Sequence, residues 1–108
     1  MIFRLDLDVA VYSDRVQVTD RKTGLLVDHR AEYAFSSDEL LIADQRFLEH
    51  TLSHAIRKLM KGGFVLFDPR AHITHTERRL TAGERAILRT VLCDTGFKKV
   101  TFADDIDG

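Results

Sequence analysis

Between Leu40 and Met60 the chain carries one apolar stripe at helical spacing, and a stripe that wide needs a surface to cover. Phe47, Leu48, Leu52, Ala55, Ile56, Leu59 and Met60 recur three to four residues apart. Arg46, Glu49, His50, Ser53, Arg57, Lys58 and Lys61 fall on the opposite face. Asp44 is placed to cap the first turn, where free backbone N–H groups attract a carboxylate. Arg57, Lys58 and Lys61 suit the other end of the dipole, and Gly62-Gly63 is expected to stop the helix. The segments on either side are expected to form the sheet it packs on.

Those segments alternate as strands do. Ile2, Leu5, Leu7, Val9 and Val11 form a first strand with Asp6 and Asp8 at alternate positions, ending at a Ser13-Asp14 turn. Arg15 to Thr19 alternates again and reaches a hairpin loop, Asp20-Arg21-Lys22-Thr23-Gly24. Leu25 to His29 returns as a third strand, with a continuation expected through Ala31-Glu32-Tyr33-Ala34-Phe35 before Ser36-Ser37-Asp38 breaks the pattern. After the helix, Phe64 to Phe67 reads as a strand end or an apolar connection, and Pro69 separates it from a fourth strand, Arg70 to His75. Thr81-Ala82-Gly83-Glu84 has capping-box spacing. It opens a second helix whose expected stripe is Ala86, Ile87, Val91 and Leu92 and whose C-terminal cap is Gly96. Lys99 to Ala103 is the last strand. The expected class is α/β: strand-strand-strand-helix-strand-helix-strand, with right-handed crossovers giving a mixed sheet.

Composition narrows the function classes. The 108 residues suit one domain, 1–108, and net charge is −1, so no overall field favours nucleic acid or an anionic membrane. Acids interrupt the opening apolar run, so it is expected to be neither a signal peptide nor a membrane span. A lone cysteine, Cys93, forms no internal disulfide and fits a reducing cytoplasm.

Several stretches together resemble the bacterial actin-like rod-shape-determining proteins, the MreB family. Ile42-Ala43-Asp44 through Leu52 to Ile56-Arg57-Lys58 is similar to that family's V-I-A-D-F helix start and I-R-K helix end. Thr81-x-x-Glu84-Arg85 through Gly96 and Val100 resembles its T-x-x-E-R-R…A-G-A-R-E-V helix and strand. Val18 to Gly24 resembles its V-A-x-D-x-x-T-G hairpin, and Pro69-Arg70 its K-P-R. The resemblance implies the first subdomain of an actin-like ATPase, a ribonuclease-H-like fold. The second half of such an ATPase, with its other phosphate loop and adenosine site, has no counterpart in these residues. The insertion that forms the family's small outer subdomain has none either, between Phe35 and Leu40.

The departures from the family pattern bear on function. Where the family's first strand ends in D-L-G-T, with glycine admitting phosphate to the backbone, this chain has Asp6-Leu7-Asp8-Val9. Asp8 sets a carboxylate against a polyphosphate, a repulsion of roughly 1 kcal/mol at 4 Å even in water. Val9 removes the threonine hydroxyl. Asp104-Asp105 stand where the resemblance implies an acidic pair, one of which positions the attacking water. ATP hydrolysis is therefore not expected, and neither is a bound cofactor. The leading expectation is a non-catalytic domain that works through a protein partner or weak self-association, using the second-to-third-strand hairpin or an apolar patch on an uncovered sheet. The alternative is a metal-dependent ribonuclease-H-like phosphodiesterase in which Asp6, Asp8, Asp104 and Asp105 hold divalent cations. The absence of a basic strip weighs against it. His50 and His54 have the i,i+4 spacing of a zinc pair but lack further ligands, so an exposed polar face is expected. Cys93 is expected in the core.

Overall fold

The computed structural model describes residues 2–61 and 65–103, with side chains from residue 5 to 61 and from 68 to 103. Seven elements follow one another: β1 (Ile2–Tyr12), β2 (Arg15–Asp20), β3 (Leu26–Arg30), α1 (Gln45–Leu59), β4 (Val65–Thr76), α2 (Ala82–Asp94) and β5 (Lys99–Phe102). The protein is α/β. Its five-stranded mixed sheet has the spatial order β3-β2-β1-β4-β5, so β1 lies at the centre although it comes first in the chain. β1, β2 and β3 form an antiparallel meander, while β4 pairs parallel to both β1 and β5.

Two crossovers, β3 to β4 through α1 and β4 to β5 through α2, run in the same direction across the sheet. A common handedness then puts both helices on one face. That face holds the core. Leu5, Leu7, Val9 and Val11 of β1, Val16 and Val18 of β2, and Ala71 and Ile73 of β4 are buried under Leu48, Leu52, Ala55 and Leu59 of α1 and Leu88, Val91 and Leu92 of α2. Asp44 caps α1 by accepting from the Phe47 N–H at 2.9 Å. Ile56 is only half-buried. The expected Gly62-Gly63 stop and Phe64 lie outside the described residues.

Four local expectations are corrected. β3 stops at Arg30 instead of running on to Phe35. The Ala31 N–H is taken by the Asp14 carbonyl, and Ser36 and Asp14 clasp each other, the Asp14 N–H donating to Ser36 Oγ and the Ser36 N–H to Asp14 Oδ1. That clasp turns the chain inward, and Phe35 becomes a fully buried plug. Pro69 does not separate two segments but sits inside β4, at a bulge where the pairing with β1 slips between Arg4/Asp6 and where Asp68 takes φ 51°. A bulge is where a residue without an N–H costs no ladder hydrogen bond. In α2 the buried stripe is Glu84, Leu88, Val91 and Leu92, whereas Ala86 is exposed and Ile87 half-buried. The i, i+4, i+7, i+8 row through Leu88 outranks the shorter one because Glu84 itself points inward. Cys93 is exposed, one position beyond that row. The expected cap at Gly96 is present as a Schellman motif: the Gly96 N–H reaches the Cys93 carbonyl and the Phe97 N–H reaches Leu92, with Gly96 at φ 111°.

Candidate functional site

With both helices on one side, the other face of the sheet is uncovered among the described residues, and its chemistry is polar. Asp6 and Asp8 project there from the middle of β1. The Asp8 carboxylate meets the Arg21 guanidinium at 2.5 Å, and Arg15 meets Asp28 at 2.7 Å with Gln17 donating to the same oxygen. Asp6 Oδ1 lies 3.3 Å from His72 Nε2, and His72 Nδ1 lies 2.8 Å from Thr101 Oγ1. A chain of carboxylate, imidazole and hydroxyl thus crosses β1, β4 and β5. It orients the imidazole, and it satisfies polar groups that would otherwise need water. An apolar patch was expected on this face. Cross-strand pairs occupy it instead.

The strand expected through Val11 and its Ser13-Asp14 turn are both present, so the position that aligns with the family's D-L-G-T lies inside β1. Residues 6–9 form no turn. β1 continues to Tyr12, and Asp8 is paired with Thr19 on one side and His72 on the other. The tight turn comes at Ser13-Asp14, where Ser13 is held by Glu77 and Asp14 by Ser36. Asp104 and Asp105 lie outside the described residues. Among the described residues no three His, Cys, Asp or Glu side chains are grouped to hold a metal ion. An open hollow beside the His72–Thr101 pair is lined by Arg21, Thr74 and Phe102, and Arg21 is already engaged by Asp8.

The second concentration of chemistry lies along the β3 edge, and sequence reasoning saw only part of it. His50 and His54 are not freely exposed. Their rings lie 4.2 Å apart at the seam between α1 and β3, and His29 of β3 stacks on His54 at 6.0 Å and 7°. Lys58 Nζ sits 3.0 Å from His29 Nδ1, Tyr33 packs on Phe47 and His50, and Glu32 approaches His50 at 3.8 Å. Burial, then the Lys58 ammonium and then His54 and His50, hold His29 below the usual imidazole pKa. His29 was the missed residue. Its signal was the strand alternation that turns Val27 and His29 toward the helix. The expected hairpin carries the exposed apolar surface: Leu25 and Leu26 are each about half exposed, as is Tyr33 after the strand.

No protein-family model matches the chain, and no curated protein matches it. No helix among the described residues is long and apolar enough to cross a membrane.

Proposed function

We propose that the protein is a non-catalytic actin-like, MreB-related domain that acts through protein–protein contacts in cell-shape or cytoskeletal assembly. The observation that carries this reading is a division of labour across the sheet. The β1 acids, where nucleotide or metal chemistry would sit, are spent on Arg21 and His72, while exposed apolar side chains flank β3 at both ends, Leu25 and Leu26 where it begins and Tyr33 after it stops. A three-strand meander followed by two strand–helix–strand units supports the ribonuclease-H-like, actin-like comparison, but a fold alone does not confer an activity.

Two measurements test it. ATP with magnesium is expected to leave the melting temperature unchanged, because a ligand that binds only the folded state must raise it. A saturable rise overturns the loss of nucleotide binding. Light scattering across a concentration series, run beside a manganese-supplemented nuclease assay, is expected to show weak association and no cleavage. A strict monomer with metal-dependent cleavage that disappears in Asp6→Asn would establish the phosphodiesterase instead.

A further inference from the structure

The geometry points to the outer edge of β3 as a docking strand for an extended acidic segment of a partner protein, added to the sheet as a sixth strand. This rests on the interaction reading above and names its surface and partner chemistry.

The main chain supplies the first argument. Asp20 N–H donates to the Leu25 carbonyl and Ala31 N–H to the Asp14 carbonyl. In an antiparallel pair the direction of the main-chain groups alternates. Leu25, Val27, His29 and Ala31 therefore face β2, and Leu26, Asp28 and Arg30 turn their N–H and C=O groups outward. β3 ends the sheet on this side, and its pairing is with β2 alone among the described residues. An edge of this kind is a template for another strand.

Charge supplies the second argument and selects the occupant. Along the helix-side flank of the edge run His29, His50, His54, Lys58 and Arg57, and Arg30 stands at the strand end. Three acids lie nearby: Asp28 is held by Arg15 and Gln17, Glu32 is beside His50, and Glu49 lines the same hollow as His50 and Arg57 with Arg46 beside it, so Arg30, Arg57 and Lys58 leave the flank basic. A strand laid on this edge turns every second side chain toward the histidine and lysine row, so acidic residues at alternate positions complete it. The remaining positions meet Leu26, which is 51% exposed. A second copy is a poorer occupant. An antiparallel β3–β3 pair brings two copies of the basic flank of Arg57 and Lys58 to one seam and supplies no run of alternate acids to meet them, whereas an acidic segment does.

The test pans the full-length protein against a library of short random peptides and maps any selected peptide by amide exchange. Enriched peptides are expected to be extended and acidic at alternate positions, and to slow exchange at Leu26, Asp28 and Arg30. Arg57→Glu combined with Lys58→Glu changes two exposed residues and is expected to weaken binding at least tenfold, with only a small loss of urea resistance from reversing charge at the C-terminal end of α1. Raised salt is expected to weaken binding as well. No enrichment, enrichment without acidic residues, or binding that survives the double substitution overturns the proposal. Protection of the same three amides that depends on protein concentration alone assigns the edge to a second copy and also overturns it. Peptides that bind on the uncovered sheet face overturn this surface while leaving the interaction reading intact. A monomer that cuts nucleic acid removes both.

Discussion

Glu84→Ala is expected to destabilise the protein by about 3 kcal/mol, more than a surface glutamate has any right to cost. Its side chain is only 3% exposed. One carboxylate oxygen accepts the Thr81 N–H at 2.8 Å and the other the Ile42 N–H at 2.9 Å, while the Glu84 N–H donates back to the Thr81 hydroxyl at 3.1 Å. One residue thus closes the capping box of α2 and pins the segment that leads into α1. Losing a helix cap costs about 1 kcal/mol. Leaving a buried N–H without its charged acceptor costs about 1–3 kcal/mol more. Urea titration at neutral pH reads the sum from the shift in midpoint at constant slope.

The same contacts fix a pH dependence. Burial alone would raise the Glu84 pKa, but the donors from Thr81, Ile42 and Leu41 outweigh it and hold the carboxyl below its ordinary 4.5. A carboxyl depressed by folding contributes stability that is present above its unfolded pKa and lost as pH falls through the folded value. The wild-type protein is therefore expected to lose this increment below about pH 4.5, and Glu84→Gln to show a flatter acid limb from a lower plateau. Parallel curves for the two proteins would contradict the assignment.

Leu52→Ala is the second large effect, about 2–5 kcal/mol. Leu52 has no exposed surface and lies mid-helix on the stripe of α1 that covers β2 and β3. Removing its isobutyl group leaves a cavity that the surrounding leucines and valines fill only in part. Ile56→Ala, one turn on and half-buried, is the internal comparison and is expected to cost less. Equal costs would mean that the stripe is not seated as described.

Which features could be read from the sequence follows from the range of the forces that fix them. Asp44, the Thr81–Glu84 box and the Gly96 cap are local, and each is decided within five residues. The β1 alternation is likewise a statement about neighbours. Glu84 reaching Ile42 is not: the capping box accounts for Glu84 from the sequence, and only the contact with Ile42, 42 positions away, turns it inward in line with Leu88. Ala31 to Phe35 alternates well enough for a strand, but Asp14, across the first turn, captures the backbone and folds Phe35 under. Pro69 reads as a break because only the pairing with β1 reveals a bulge that accommodates it. For the candidate site, Asp6 and Asp8 were visible as acids on one strand face, whereas Arg21 and His72 as their partners required the sheet order.

That order also sets a timetable for synthesis. β1, β2 and β3 are joined by short turns and can pair as soon as they leave the ribosome, yet β1 is the central strand and its other edge waits for β4. His72 meets Asp6 across 66 positions of chain. Until that stretch is made, the nascent meander carries two open edges and an apolar face of Leu5, Leu7, Val9 and Val11 with nothing to lie on it. Such non-local parallel pairing is slow to form and exposes its edges meanwhile. The nascent chain is thus most open to misassociation during elongation through α1, before β4 can close the sheet.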